Sequence, residues 1–397
     1  MLKNRSIISI IVIFILLILY LTIHIYEDNK FFYKLKLHIP FKVKDNIKTF
    51  LFPLKLREER DIYKNLLLSN DKIFNTADFT FNIKKKSELK KIKNLIMKDY
   101  ILNKDQTDFK IVDNKTDFNK KFLNNENFIK NADMYKIKYY NINHYAFHHK
   151  ANDQCKRKKL IIYSNGHSFS AYDHQDFLDF KKKVVEKCYD FFVIGMTGLG
   201  FNAISNNSFP SQIDNTVSTN LEIIRSFYDK EFPNKKPLSL MLTGNYYLIT
   251  NFLNENKYEN IYMVGLSGGG WYTTFLSSLI TNIDASFSIA GTLPLIFYLN
   301  SYHNSGTWEQ DLSEIYNHLD YIDLYILSTM NEKFYVTRKH FQIYNSKDRC
   351  CFLLPASSKF KKIFEKLKIK NVYIYIWENN EHSIVVDKLI KTLEDIG

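Results

Sequence analysis

Nucleophilic chemistry needs a reactive side chain, a base and an acid, and this chain offers all three at separated places. The nucleophile candidate lies in IYMVGLSGGGWYTTFLSSLI, Ile261 to Ile280. An apolar run there ends in Gly265-Leu266-Ser267-Gly268-Gly269, and a helix-like segment follows at once. Glycine takes φ > 0 without steric penalty and lets other backbone approach closely. A serine with glycines at −2 and +2 can therefore sit on a strained strand-to-helix turn with its hydroxyl pointing out of the fold, the G-x-S-x-G nucleophile elbow. A dinucleotide loop is excluded because G-x-G-x-x-G is absent here, and a P-loop because no Gly-Lys-Ser/Thr follows.

A nucleophilic serine needs a base, and the base an orienting acid. Downstream, NVYIYIWENNEHSIV supplies a buried strand, a short polar loop and His382, ahead of a last helix from Ile384 onward. His382 is the only histidine after Phe341 and is the expected base. Two acids compete: Glu332 in DLYILSTMNEKF and Asp348 in FQIYNSKDRCCF. After Asp348 come one helix-like segment, one strand and then His382, a single βαβ step that sets acid and base on neighbouring strand ends. Glu332 would leave the run His340 to Tyr344 as an extra strand between them. Asp348 is the preferred acid and Glu332 its rival.

The developing oxyanion also needs donors. The backbone N–H of Gly268, next after the nucleophile, is one. LIIYSNGHSFS places Asn165-Gly166-His167 directly after a strand, and Gly166 permits a sharp turn that aims the N–H of His167 at the site. Asn165, Leu266 and Trp308 are the candidates for contact with substrate. Trp308 lies with Phe297 and Tyr302 in a segment expected to form a cap or site wall, about 293–325, whose aromatics would line an acyl or sugar pocket.

The elements that must position these residues begin near 133. MYKIKYY (Met134 to Tyr140) and HYAFHH (His144 to His149) alternate like an exposed strand pair, with His148 and His149 on an edge strand. KLIIYS (Lys159 to Ser164) and FFVIGM (Phe191 to Met196) are continuous apolar runs, as buried parallel strands are. Further runs follow at Tyr262 to Val264, Ala285 to Ile289, His340 to Tyr344 and Val372 to Trp377, with helical stretches between. Such alternation predicts βαβ units, a mostly parallel sheet and a site along one edge of it.

Ahead of this domain, residues 1–6 form a basic tail and 7–26 an apolar stretch long enough to span a bilayer core. No small-residue cleavage site follows, so the expectation is a signal anchor rather than a cleaved leader. Lysines stand on both sides of it, and the positive-inside rule does not settle orientation. The expectation is a single-pass membrane protein with an outward-facing, periplasmic or extracytoplasmic domain. Residues 27–132 are expected to form a helical extension. Within it SELKKIKNLIMKDYIL has Leu89, Ile92, Leu95, Ile96 and Tyr100 near the spacing of an amphipathic helix packed on the main domain.

The 397 residues carry a net charge of +13, which invites a nucleic-acid reading. That reading is set aside because only seven of the 55 basic residues are Arg, the residue that phosphate recognition favours, and no nucleic-acid-binding signature is present. None of the four cysteines has metal-ligand spacing with histidines, so no metal is expected.

With NGH, GLSGGGW, SIAGTLPL, NSKDRCC and NNEH in that order, residues 133–397 resemble the α/β-hydrolase superfamily, specifically a poorly described bacterial branch of serine hydrolases. The resemblance implies an α/β fold with an eight-stranded, mostly parallel sheet and flanking helices. It also implies a Ser267-Asp348-His382 triad, no cofactor, and hydrolysis of an ester, thioester or amide through an acyl-enzyme. The oxyanion motif departs from the family, reading Asn-Gly where many members have His-Gly. The resemblance further implies that the strands after Cys155 and Cys188 pair side by side, which brings both thiols to one sheet edge where an oxidising compartment would join them. The anchor points to lipid or envelope polysaccharide esters as substrates. A peptidase or acyltransferase on the same triad is the alternative among enzymes, and a membrane-anchored interaction protein with a vestigial hydrolase fold the alternative outside them.

Overall fold

The computed structural model describes residues 84–101, 107–111, 132–139, 142–152, 154–155, 158–167, 175–197, 200–202, 237–294, 315, 318–346 and 354–396. Their strands form one sheet in the order β1-β2-β3-β5-β4-β6-β7-β8-β9. These are β1 Thr107–Ile111, β2 Asp133–Tyr139, β3 Ile142–His149, β4 Lys159–Ser164, β5 Tyr189–Ile194, β6 Asn260–Leu266, β7 Ala285–Ile289, β8 Lys339–Asn345 and β9 Val372–Trp377. From β5 to β9 every pairing is parallel, whereas β1-β2, β2-β3 and β3-β5 are antiparallel. The eight strands expected after residue 133 are present, but "mostly parallel" holds only for the half that carries the elbow. A ninth strand, β1, comes from inside the stretch 27–132 and extends the sheet beyond β2.

The parallel strands β4 to β8 are buried on both faces because helices cover both, while the edge strand β9 is partly exposed. One face is covered by α2 (Gln175–Glu186) and α7 (Val386–Ile396). Phe177, Phe180, Val184, Leu389, Ile390 and Leu393 of these helices pack against Tyr163, Phe191, Val264, Phe287 and Phe341 of the strands. The other face carries α3 (Pro237–Glu255), α4 (Gly268–Leu279), α5 (Tyr321–Ser328) and α6 (Leu354–Leu367). Phe192 of β5 stacks on Phe252 of α3, with centroids 4.0 Å apart. Its neighbours Phe191 and Val193 point to the opposite face, the period-2 alternation of a strand.

The β2-β3 pair forms as expected, but it is not exposed. His144 to His149 are all buried, because β3 lies between β2 and β5 and α3 covers it. His148 and His149 therefore sit on an interior strand, not an edge.

The amphipathic helix expected before the sheet is α1, Lys86–Asp99. Its Leu89, Ile92 and Ile96 are buried, and it packs against α4 and α5. Lys84, just ahead of it, donates to the fully buried carboxylate of Asp323 at 3.1 Å. Burial pushes the Asp323 carboxyl above its ordinary range despite the Asp320 amide and Lys84. Residues 76–397 form one compact unit. The anchor at 7–26 lies outside the described residues, among which no helix is long and apolar enough to cross a membrane.

Helix α4 is buried along its whole length, and the hydroxyls of Thr274, Ser277 and Ser278 are hydrogen-bonded, whereas Thr273 Oγ1 is buried without a partner among the described residues. Thr274 Oγ1 donates to the Gly270 carbonyl at 3.0 Å, and Ser277 Oγ meets Ser328 Oγ of α5 at 2.9 Å. Its C-terminal carbonyls, which lack intrahelical donors, are met by Arg338. The guanidinium, 4% exposed, donates to the carbonyls of Ser277, Ile280, Ile283 and Leu327 at 2.8–3.3 Å. Burial lowers its pKa to about 10, with Asp284 opposing the shift.

Cys155 and Cys188 are joined in a disulfide, with Cα atoms 5.4 Å apart. The parallel register Lys159↔Tyr189 of β4 and β5 sets the two cysteines beside each other at the amino end of those strands.

Candidate active site

Ser267 lies between the last residue of β6 and the first of α4, with φ 58° and ψ −127°. A non-glycine residue held there costs on the order of 1–3 kcal/mol and persists only where its surroundings over-determine it. They do so here. The Ser267 amide donates to the Ile289 carbonyl of β7 at 2.8 Å, and its carbonyl accepts from Trp271 N at 3.1 Å, opening α4. The helix start is pressed onto the end of β4: a Cβ on Gly269 would lie 2.0 Å from the Ser164 carbonyl oxygen. No side chain fits, so the approach that aims Ser267 requires glycine at +2.

The loop after β4 lies directly on the nucleophile. A Cβ on Gly166 would be 2.7 Å from Ser267 Cβ and 3.1 Å from its Oγ. The next residue, His167, packs its imidazole against Gly268. A Cβ on Gly268 would meet His167 Cε1 at 2.5 Å, His167 Nδ1 at 2.8 Å and Met196 Sδ at 2.6 Å. As the first residue of α4, Gly268 presents an amide with no intrahelical acceptor, at the positive end of the helix dipole. Gly268 and His167, expected from their sequence positions, thus flank one corner beside Ser267.

Two other expected site residues lie in buried positions. Asn165 is 5% exposed, and its Oδ1 accepts from the Gly166 amide at 2.8 Å, so its side chain shapes the turn. Leu266 is 8% exposed and belongs to the core cluster under α2 and α7. Trp308 and Asp348 lie outside the described residues, as do Phe297, Tyr302 and most of the stretch 293–325. Of that stretch, the start of α5 is buried packing against α4. Glu332, the rival acid, accepts from Thr281 Oγ1 at 3.1 Å. Thr281 lies in the turn between α4 and β7, at the amino end of the parallel strands, so Glu332 faces the edge opposite Ser267.

His382 lies five residues beyond the carboxyl end of β9, half-buried in a loop tied down on both sides of it. Asn345, the last residue of β8, donates through Nδ2 to the carbonyls of Glu381 at 3.0 Å and Ser383 at 2.9 Å. Asn379 Nδ2 approaches the same two carbonyls at 3.1 and 3.4 Å. The Ile384 amide donates to Asp176 Oδ2 at 3.4 Å, in the first turn of α2. The loop thus runs from β9 over the end of β8 to the helix that follows β4, along the edge where β6 presents Ser267.

A wall of the site went unread in the sequence. Gly195-Met196-Thr197, after β5, brings the Met196 thioether beside Gly268. Buried groups hold this turn. The Gly195 carbonyl accepts from Asn202 Nδ2 at 2.9 Å and Asn245 Nδ2 at 3.0 Å, and Thr197 Oγ1 donates to the Met241 carbonyl at 3.1 Å. His144 Nδ1 lies 3.3 Å from Thr197 Oγ1, and burial pushes its pKa down to about 3, so the ring is neutral there. A glycine directly after the strand, Gly195, was the local hint of this turn. Among the described residues, no group of three or more His, Cys, Asp or Glu is arranged to hold a metal ion.

A doubly wound sheet with Ser267 on a strand-to-helix elbow is the α/β-hydrolase fold. No family description matches the sequence, and no protein of curated function matches it. Solved structures resemble the chain. Est1E from Butyrivibrio proteoclasticus is 12% identical over 66% of this chain and 96% of its own, with a TM-score of 0.42. Acetyl xylan esterase 1 from Thermoanaerobacterium is 13% identical over 77% and 92%, at 0.48. The acylaminoacyl peptidase of Pyrococcus horikoshii is 16% identical over 67%, at 0.43, and the chain spans 41% of its length.

Proposed function

We propose that this chain is a serine hydrolase of the α/β-hydrolase type that cleaves a carboxylic ester through Ser267, His382 and Asp348. The observation that carries the reading is the Ser267 backbone, held at φ 58° on the turn from β6 to α4 with the Gly166-His167 loop against it. Oγ attacks the ester carbonyl carbon while His382 accepts its proton. The carbonyl oxygen, now anionic, is held by the amides of Gly268 and His167. Collapse expels the alkoxide, which takes the proton from His382, and leaves an acyl group on Ser267. Water then attacks the acyl-enzyme, again deprotonated by His382, and releases the acid and the free serine. Asp348 is assigned as the orienting carboxylate. It stands three residues past the end of β8, the strand neighbouring β9, from which the His382 loop springs.

The anchor at 7–26 is proposed to hold the domain at a membrane with its catalytic face in an oxidising, extracytoplasmic compartment. The Cys155–Cys188 disulfide supports that side. Such a site suits acyl esters of lipids or envelope polysaccharides.

A fluorophosphonate probe tests the chemistry: it should label the wild type and not Ser267→Ala. A series of esters of increasing acyl length then defines the substrate class. An unlabelled wild type would favour a vestigial interaction protein, and turnover of amides in preference to esters a peptidase. Thiol labelling in the native host tests the compartment, because free Cys155 and Cys188 would place the domain in the cytoplasm.

A further inference from the structure

Both hydrogens of the Asn345 side-chain amide are spent on the two carbonyls that flank His382, those of Glu381 and Ser383, at 3.0 and 2.9 Å. Asn345 is 1% exposed and lies on a different strand from the one that leads into the histidine loop. Asn379, at the root of that loop, approaches the same carbonyls from its own side and receives the Glu381 amide on Oδ1 at 3.2 Å. The two strand ends are joined as well: Ser346 N donates to the Trp377 carbonyl at 2.8 Å and Asn379 N to Ser346 Oγ at 3.4 Å. A three-residue backbone segment centred on one histidine is thus gripped by two asparagines, one at the end of β8 and one in the loop after β9.

We propose that Asn345, assisted by Asn379, is the positioning residue for the catalytic base. It fixes the peptide planes on either side of His382, and so the direction of its Cα–Cβ bond, while the triad acid sets the rotation of the ring. The proposal rests on the reading of Ser267 and His382 as nucleophile and base. The physical reason for two donors is that loops at a sheet edge open easily, whereas a base displaced by about 1 Å costs roughly a hundredfold in rate.

Asn345→Asp is the test. It is isosteric but turns a double donor into an acceptor facing two carbonyl oxygens. The expected result is a kcat lowered about tenfold to a hundredfold with KM changed less than about threefold, since each hydrogen bond lost is worth several-fold in rate. Asn379→Ala, nearer the surface and gentle on folding, should lower kcat by less, in the same pattern. The decisive comparison is with His382→Ala. Adding Asn345→Asp to it should slow the enzyme no further, because a clamp with no base to position has no catalytic effect. Undiminished kcat in Asn345→Asp, or a full additional loss on the His382→Ala background, overturns the positioning role. Wild-type rates in His382→Ala itself would overturn the triad, and the clamp's role with it.

Discussion

The imidazole of His167 occupies the space that a side chain on Gly268 would need: a methyl there would lie 2.5 Å from the ring Cε1. The first turn of α4 and the loop after β4 are therefore packed against each other, so neither can shift without the other.

Gly268→Ala should accordingly displace the His167 ring or the Met196 thioether and spread the oxyanion corner. The expected loss is about tenfold to a thousandfold in kcat, the range seen when one oxyanion donor is removed, with a melting temperature close to wild type. Steady-state kinetics beside a thermal melt check it, and an unchanged kcat would remove Gly268 from the oxyanion site.

Ser267→Ala and His382→Ala should each lower kcat by several orders of magnitude without unfolding the protein, because triad members act as a unit. Near-normal ester turnover by either variant refutes the assignment.

The two acids separate cleanly. Asp348→Asn should cost on the order of a thousandfold or more in kcat by leaving the imidazole in the wrong tautomer. Glu332→Gln should leave kcat unchanged, since that carboxylate meets Thr281 at the far edge. The opposite pattern would exchange their roles.

At the amino edge, Asp190 accepts from Tyr258 OH at 2.8 Å and from the Ala151 amide at 2.8 Å, and lies 3.1 Å from His148 Nε2. Burial alone would raise the Asp190 carboxyl, but the bonds from His148, Ala151 and Tyr258 outweigh it and hold the carboxyl below its ordinary value. The folded form therefore binds the proton less readily than the unfolded chain. The stability this gives is complete above the unfolded pKa of about 3.9 and is lost as pH falls through the lower folded value. Asp190→Asn should destabilise the protein at neutral pH by about 1–3 kcal/mol and flatten its stability profile below about pH 4. Denaturant melts across pH 2–7 measure both effects.

Replacing both Cys155 and Cys188 with serine opens a loop of sequence separation 33. Stability should fall by about 2–4 kcal/mol while kcat stays unchanged, because the bridge lies at the edge opposite Ser267. Parallel loss of activity in the folded double variant would contradict that separation.

The elbow was legible because Gly265 and Gly269 answer to contacts made between β6 and α4 themselves and with the end of β4. The parallel strands were legible because burial on both faces writes a continuous apolar run. β1 was not: TDFKI is five residues of mixed polarity in a lysine- and asparagine-rich stretch, and it is a strand only because β2 lies beside it. β3 looked exposed because it carries three histidines. Two of these lie beside partners distant in sequence: Thr197 for His144, and Asp190 and Tyr258 for His148. Asn345 and Asn379 left no trace, since an asparagine that grips a distant loop has the same local pattern as one that faces water.

The proposed nucleophile and the proposed base are held by different kinds of matter. Ser267 sits in backbone packed so closely that glycine alone fits, whereas His382 rides on a loop whose grip is largely polar and part-exposed. Mild heat or low denaturant acts first on segments of the second kind. With His382 as the proposed base, the expected outcome is two failure points: ester turnover lost at a condition where the spectrum is still that of the native sheet, and regained on return, because only the loop has let go.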